Sequence, residues 1–215
     1  MSRSIKKRVK RSTSSRRGER GYTLVALMAL MSILVLMMMT AAPSARHQSQ
    51  REREQEAIFR GEEVADAIAL YMRAHAGQLP TSMDDLLKGV PQGVKTLKIL
   101  RAEAAIDPLT GHDWKLVHQT DPTFLEFERA VAVYAGGRLP EAHDPIVKAL
   151  QGTVAGQVGV ILDVETAKPT SCHEDTAENA SGPFLGVASR SECSSIIAYY
   201  GIERHDQWVF TPLFR

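Results

Sequence analysis

The chain has 215 residues, with 26 Lys and Arg against 25 Asp and Glu, a formal net charge of +1 and only two cysteines. The near-neutral total conceals an asymmetry: Met1–Arg20 holds nine bases and one acid, and the remainder holds 17 bases and 24 acids. An acidic main body excludes the basic footprint of a nucleic-acid binder, and the absence of HExxH, GxSxG and phosphate-loop patterns argues against an enzyme.

The basic leader ends at Gly21, and Tyr22–Ala42 follows as 21 residues without a charge. As a helix that run covers roughly 31 Å, the thickness of a bilayer's hydrocarbon core. The bases Arg3 to Arg20 before it place the N-terminus in the cytoplasm and the C-terminal part across the membrane by the positive-inside rule. The reading is therefore a cytoplasmic leader over residues 1–21, a transmembrane helix over 22–42 and an extracytoplasmic remainder. Thr40-Ala41-Ala42 offers small residues for signal-peptidase cleavage, but the apolar run is long for a secretory signal.

From Ser44 to Ala76 the chain is heavily charged yet keeps a helical stripe. Ala57, Ile58, Val64, Ala65, Ile68, Tyr71 and Met72 recur mostly at three- and four-residue steps, while Arg51, Glu52, Arg53, Glu54, Glu56, Arg60, Glu62, Glu63 and Asp66 fill the other faces. This predicts an amphipathic continuation over residues 43–76, so that Tyr22–His75 forms a helix of about 80 Å, bent where Pro43 removes an N–H. A free-standing charged stalk is the alternative, and the stripe is too short for sustained heptads. Gly77 closes the helix. Thr81 or Ser82 then caps a short one, with Asp84 and Asp85 in its first turn; as neighbours they diverge by about 100°, which favours capping over paired-acid chemistry.

The head, residues 77–215, is large enough for one domain with its own core. Ile106–Gly111 reads as a turn and Asp113–His118 as an alternating strand, while Phe124–Ala135 fits either a strand or a short helix. Gly136–Pro145 is rich in turn formers. Gln157–Val164, Phe184–Ala188, Ser195–Tyr200 and Gln207–Phe210 read as strands of an antiparallel meander packed on the amphipathic half of the long helix. His173-Glu174-Asp175 and His143-Asp144 read as loop and turn charge rather than metal ligands. Cys172 and Cys193 both follow the apolar run, in an oxidising compartment; a bridge closing their loop of roughly 20 residues contributes about 3 kcal/mol, and two unpaired buried thiols are the alternative.

Taken together, Arg20-Gly21-Tyr22-Thr23-Leu24-Val25-Ala26-Leu27 resembles the class III signal of type IV pilins and type II secretion pseudopilins: basic leader, Gly, aromatic residue, Thr, long apolar helix. The resemblance implies that a prepilin peptidase cuts between Gly21 and Tyr22 and N-methylates the Tyr22 amine. Pro43 falls where many pilins carry a kinking proline. Ala26, the fifth residue after the cut, stands where most carry a Glu thought to neutralise a neighbour's terminal amine, a departure that the resemblance associates with tip or minor subunits and that suits a mixed filament better than a homopolymer. The Leu79-Pro80-Thr81-Ser82 connector, the Asp107-Pro108 turn before Trp114 and a Cys172–Cys193 loop are similar to pilin-family features.

The implied fold is α+β and pilin-like: a long N-terminal helix, transmembrane half plus amphipathic half, packed on a small antiparallel β-sheet head. The implied function is a non-enzymatic pseudopilin of a type II secretion-like system, with no cofactor and no metal ligands assigned, single-pass in the bacterial inner membrane with a periplasmic head. Its partners would be the prepilin peptidase, other pseudopilins or pilins, an inner-membrane assembly platform and the lipid bilayer, with no nucleic acid. A type IV or competence pilin, and a membrane-anchored periplasmic receptor or adaptor that never polymerises, are the alternatives.

Overall fold

A computed structural model of the chain describes residues 19–154 and 172–215, with the side chains of residues 19–21 and 38–46 outside the described set. The leader up to residue 18, the Pro43 ring and the strand expected over Gln157–Val164 therefore lie outside the described residues. The chain divides into two compact units, residues 1–46 and 47–215, and helix α1 (Glu19–Ala74) contributes to both.

In the first unit, α1 carries the apolar run, and every described side chain from Tyr22 to Met37 is exposed. The expected transmembrane half is not found: among the described residues no helix is long and apolar enough to cross a membrane. The described apolar side chains cover about 16 residues, or about 24 Å of helix, less than the roughly 30 Å of a hydrocarbon core.

The second unit is α+β. Residues 47–74 of α1 bury Ala57, Val64, Ala65, Ala67, Ile68 and Met72 on one stripe. Gly61 lies on that stripe where the Phe210 ring presses on the helix, so that a Cβ there would overlap the ring. The helix ends at a left-handed Ala76 (φ 53°), after which the Gly77 N–H returns to Met72 O at 2.8 Å. The backbone reversal expected of Gly77 is thus shared with Ala76, in the pattern of a Schellman cap. Helix α2 (Met83–Lys88) follows with Ser82 as its N-cap residue, and Asp85 accepts from the N–H groups of Thr81 and Ser82 and from the Thr81 hydroxyl.

Among the described residues, the single expected meander is instead three small antiparallel sheets: the hairpin β1 (Val90–Gln92) with β2 (Lys95–Leu97); β3 (Lys115–Val117), β4 (Gly186–Ala188) and β7 (Val209–Phe210) in the order β3-β4-β7; and the hairpin β5 (Ser194–Tyr199) with β6 (Ile202–Arg204). Val187 in the central strand faces Leu116 on one side and Phe210 on the other. Tyr200 and Gly201, at φ 50° and 78°, make the β5–β6 turn, a geometry that matches the strand twist.

Residues left open as strand or helix form α3 (Pro122–Tyr134), and α4 (Pro145–Val154) stands after an expected turn. Asp144 accounts for that second difference: its Oδ1 accepts from Ile146 N at 2.7 Å, and Pro145 occupies the first helical turn, where its missing N–H costs nothing. The core joins the α1 stripe to Trp114, Phe124, Phe127, Phe184, Trp208 and Phe210. Both buried indoles are satisfied, Trp114 Nε1 donating to Ala104 O at 2.8 Å and Trp208 Nε1 to Ile202 O at 3.0 Å.

Candidate functional site

The first candidate is the apolar surface of α1 in the first unit. From Tyr22 to Met37 there is no charged residue, and large side chains stand exposed all round the helix, from 45 % at Leu34 to 78 % at Tyr22. The Ser32 hydroxyl is spent locally, donating to Met28 O at 2.8 Å. Ala26 lies on this surface and supplies no carboxylate, and Thr23 sits one residue after Tyr22 in the same helix. Gly21 lies within α1, so the Gly21–Tyr22 peptide falls inside the helical span. A helix that is apolar on every face requires a partner or an apolar medium, and it has no catalytic groups to offer.

The second candidate is a convergence of buried polar groups in the second unit, centred on Glu54. Its charge predicts a solvent face of the helix for Glu54, yet the residue is 0 % exposed. It sits three residues before Ala57 and seven before Gly61, at the N-terminal end of the buried stripe, and that spacing was the available signal. Its carboxylate accepts from the N–H groups of Ile196 (3.0 Å) and Ile197 (2.8 Å), from Gln50 Nε2 (2.9 Å) and from His205 Nε2 (3.1 Å). Burial alone would push the Glu54 carboxyl up, but the two amides, His205 and Gln50 outweigh it and hold the group below the ordinary carboxylate range.

His205 continues the chain, its Nδ1 lying 3.2 Å from Ser191 Oγ. One tautomer satisfies both contacts: Nε2–H donates to Glu54, and Nδ1 accepts the Ser191 proton. Ser191, His205 and Glu54 thus stand in the order of a nucleophile, base and orienting acid. Their burial gives them another use, since Ser191 is 7 % exposed and turns its hydroxyl inward to His205. The chain ties α1 to the β5–β6 hairpin and to the segment preceding Cys193.

Cys172 and Cys193 are bonded, their Cα atoms 4.5 Å apart. The bridge lies beside this network, with the His205 N–H donating to Cys193 O at 3.2 Å. Alkylation of the unreduced, unfolded protein is expected to label neither cysteine, and Cys172→Ser and Cys193→Ser should each lower head stability by about 3 kcal/mol. Two readily alkylated thiols, or clearly unequal losses in denaturant titrations, would count against the bridge.

A second buried carboxylate, Asp107, organises the expected turn. It accepts from Leu109 N (2.9 Å), Thr110 Oγ1 (3.2 Å) and Ser189 Oγ (2.7 Å). The neighbouring Arg190 gathers the acidic loop, donating to the carbonyls of Asp113 (2.8 Å) and Ala177 (2.6 Å) and to Asn179 Oδ1 (2.9 Å). In the His173-Glu174-Asp175 cluster, Asp175 pairs with Lys115 at 2.9 Å and Glu174 lies 3.5 Å from His112. Among the described residues no three His, Cys, Asp or Glu side chains converge as a metal would need.

Beyond Glu54, sequence reasoning missed Glu128, which α3 carries on the same face as Phe124 and Val131. It is 1 % exposed, and neither carboxylate oxygen has a hydrogen-bond partner. No family model matches the chain, and neither the curated proteins nor the solved structures contain a match.

Proposed function

We propose that the chain is a pseudopilin-like subunit of a type II secretion-like assembly, cut between Gly21 and Tyr22 and joined to sister subunits through the apolar α1 surface. The observation that carries this reading is the uncharged, exposed helical surface of Tyr22–Met37. Left in water such a surface is an association site, and packing against similar helices removes it from solvent. The Arg20-Gly21-Tyr22-Thr23 junction supports it by supplying a basic leader and a residue without Cβ where a prepilin peptidase would cut. Ala26 supports a mixed filament: the subunit gives its neighbour no carboxylate, while its own Tyr22 amine remains free to meet a Glu from another chain. The disulfide suits a head outside the cytoplasm. The subunit acts mechanically, with the prepilin peptidase and the inner-membrane assembly platform as its other partners.

Processing tests the proposal. Expressed with a prepilin peptidase, the mature protein should begin at an N-methylated Tyr22, and Gly21→Leu should accumulate uncut precursor. Mass spectrometry that finds an intact Met1, or a start near Pro43, removes the pilin-like reading: the first outcome leaves an uncut receptor or adaptor, and the second a head released from its apolar run.

A further inference from the structure

Two strand edges of the head are covered by side chains. The outer edge of β3 is covered by a side chain acting as a strand, with Leu116 N donating to Asn179 Oδ1 and Asn179 Nδ2 donating to Trp114 O, both at 3.0 Å. The N–H groups of Ile196 and Ile197 in β5 are taken by Glu54. The β1–β2 hairpin differs. Gly93, at φ 65°, takes the first central place of its two-residue turn, and Gln92 faces Lys95 across the turn. Antiparallel alternation then points the peptide groups of the next pair, Pro91 and Thr96, outward. Pro91 has no N–H and blocks the β1 edge. Thr96 leaves both a donor and an acceptor on the β2 edge, and no partner for them exists among the described residues.

The surface beside that edge has its own chemistry. Residues 86–102 hold Lys88, Lys95, Lys98 and Arg101 and no acid, in a head that is otherwise strongly acidic. Lys88 pairs with Asp85 and Arg101 with Glu63, whereas the exposed Lys95 and Lys98 have no partner among the described residues. Val94 is fully exposed at the turn, and the chain leaving β2 opens on a groove of about 580 Å³ lined by Leu87, Lys98, Ile99 and Leu100 and bordered by the paired Glu63 and Arg101.

We propose that the β2 edge is a docking site for an extended, acidic polypeptide segment of a partner protein, which adds a strand beside Thr96, sets carboxylates against Lys95 and Lys98 and places an apolar side chain in the groove. A free edge that exchanges backbone hydrogen bonds, with alternate side chains read by charge and pocket, is the chemistry of strand addition. A lipid surface would meet the lysines and Val94 but leave the Thr96 peptide unpaired. The inference uses the head's surface alone and stands apart from processing at Gly21.

The test is fluorescence anisotropy of a labelled hexapeptide alternating glutamate and valine, titrated with the full chain in an uncharged detergent. Binding should weaken about tenfold in the Lys95→Glu/Lys98→Glu double variant and with added salt, and should be abolished for the same peptide N-methylated on alternate amides. Thr96→Pro should abolish it in the protein, with circular dichroism reporting on folding. Equal affinity for the alternating lysine–valine peptide, an unchanged double variant, or binding of anionic phosphatidylglycerol vesicles in place of the peptide each overturns the proposal.

Discussion

Glu54→Ala is expected to lower the stability of the head by about 3–5 kcal/mol, the range for removing one member of a buried charged network. The loss has three parts. Two β5 amides and the His205 Nε2–H lose their acceptor, and each unsatisfied buried donor costs on the order of 1–3 kcal/mol. The α1 stripe loses packed methylenes beside Ala57. The tie between helix and hairpin is cut at the point where the disulfide meets β5. Glu54→Gln is the sharper comparison, because it keeps the volume yet turns an NH2 group toward donors that both carboxylate oxygens now serve. Denaturant titration should show a clear loss for Gln as well, and hydrogen exchange should quicken at Ile196 and Ile197. A Gln variant as stable as the parent, with those amides still protected, would sink the claim that the carboxylate is the anchor. The sign of the pH effect follows from the depressed carboxyl: the contribution is present above the ordinary carboxylate pKa and is lost as acid carries the solution down through the folded-state value.

The parts of the fold legible in the sequence are those that repeat or punctuate. The stripe through Ala57, Val64, Ile68 and Met72, the Ser82 cap with Asp85, the Asp107 turn and the strand after Trp114 all rest on local spacing, and all are present. What local spacing cannot supply is pairing between distant segments. The order β3-β4-β7 joins residues 115–117, 186–188 and 209–210, a choice made by packing on Phe210 and α1. Helix α4 escaped because Asp144-Pro145, a turn signal, is equally a helix start, and only the Ile146 amide on Asp144 decides between them. The β1–β2 hairpin escaped because none of Lys95, Thr96 and Leu97 is buried, so it carries no inward-facing alternation to read. At the candidate sites the apolar run and the cysteine pair were visible, while Glu54 was hidden by its charge: among nine charged residues between Arg51 and Asp66, it is the one the hairpin covers.

Glu128 should make the head lose stability as the pH rises, and Glu128→Gln should abolish that loss. The carboxyl is buried on the Phe124–Val131 face of α3, and neither oxygen has a partner to offset the desolvation. Burial pushes it up to about 7, with Arg129 pulling only weakly the other way. In the unfolded chain the same group ionises near the ordinary glutamate value of 4.5. Between those two values the folded protein holds a proton that the unfolded chain has released, so unfolding gains as pH increases, by about 1.4 kcal/mol per pH unit. Stability should therefore fall by roughly 3–4 kcal/mol across that window and level off above it. The neutral amide keeps the shape without the ionisation, so the difference between variant and parent should be small at the acid end and should reach its full size above the upper value. Taking that difference at each pH cancels the titration of the histidines common to both proteins. A constant difference across the range would show that Glu128 ionises as it does in water and that its burial carries no electrostatic cost.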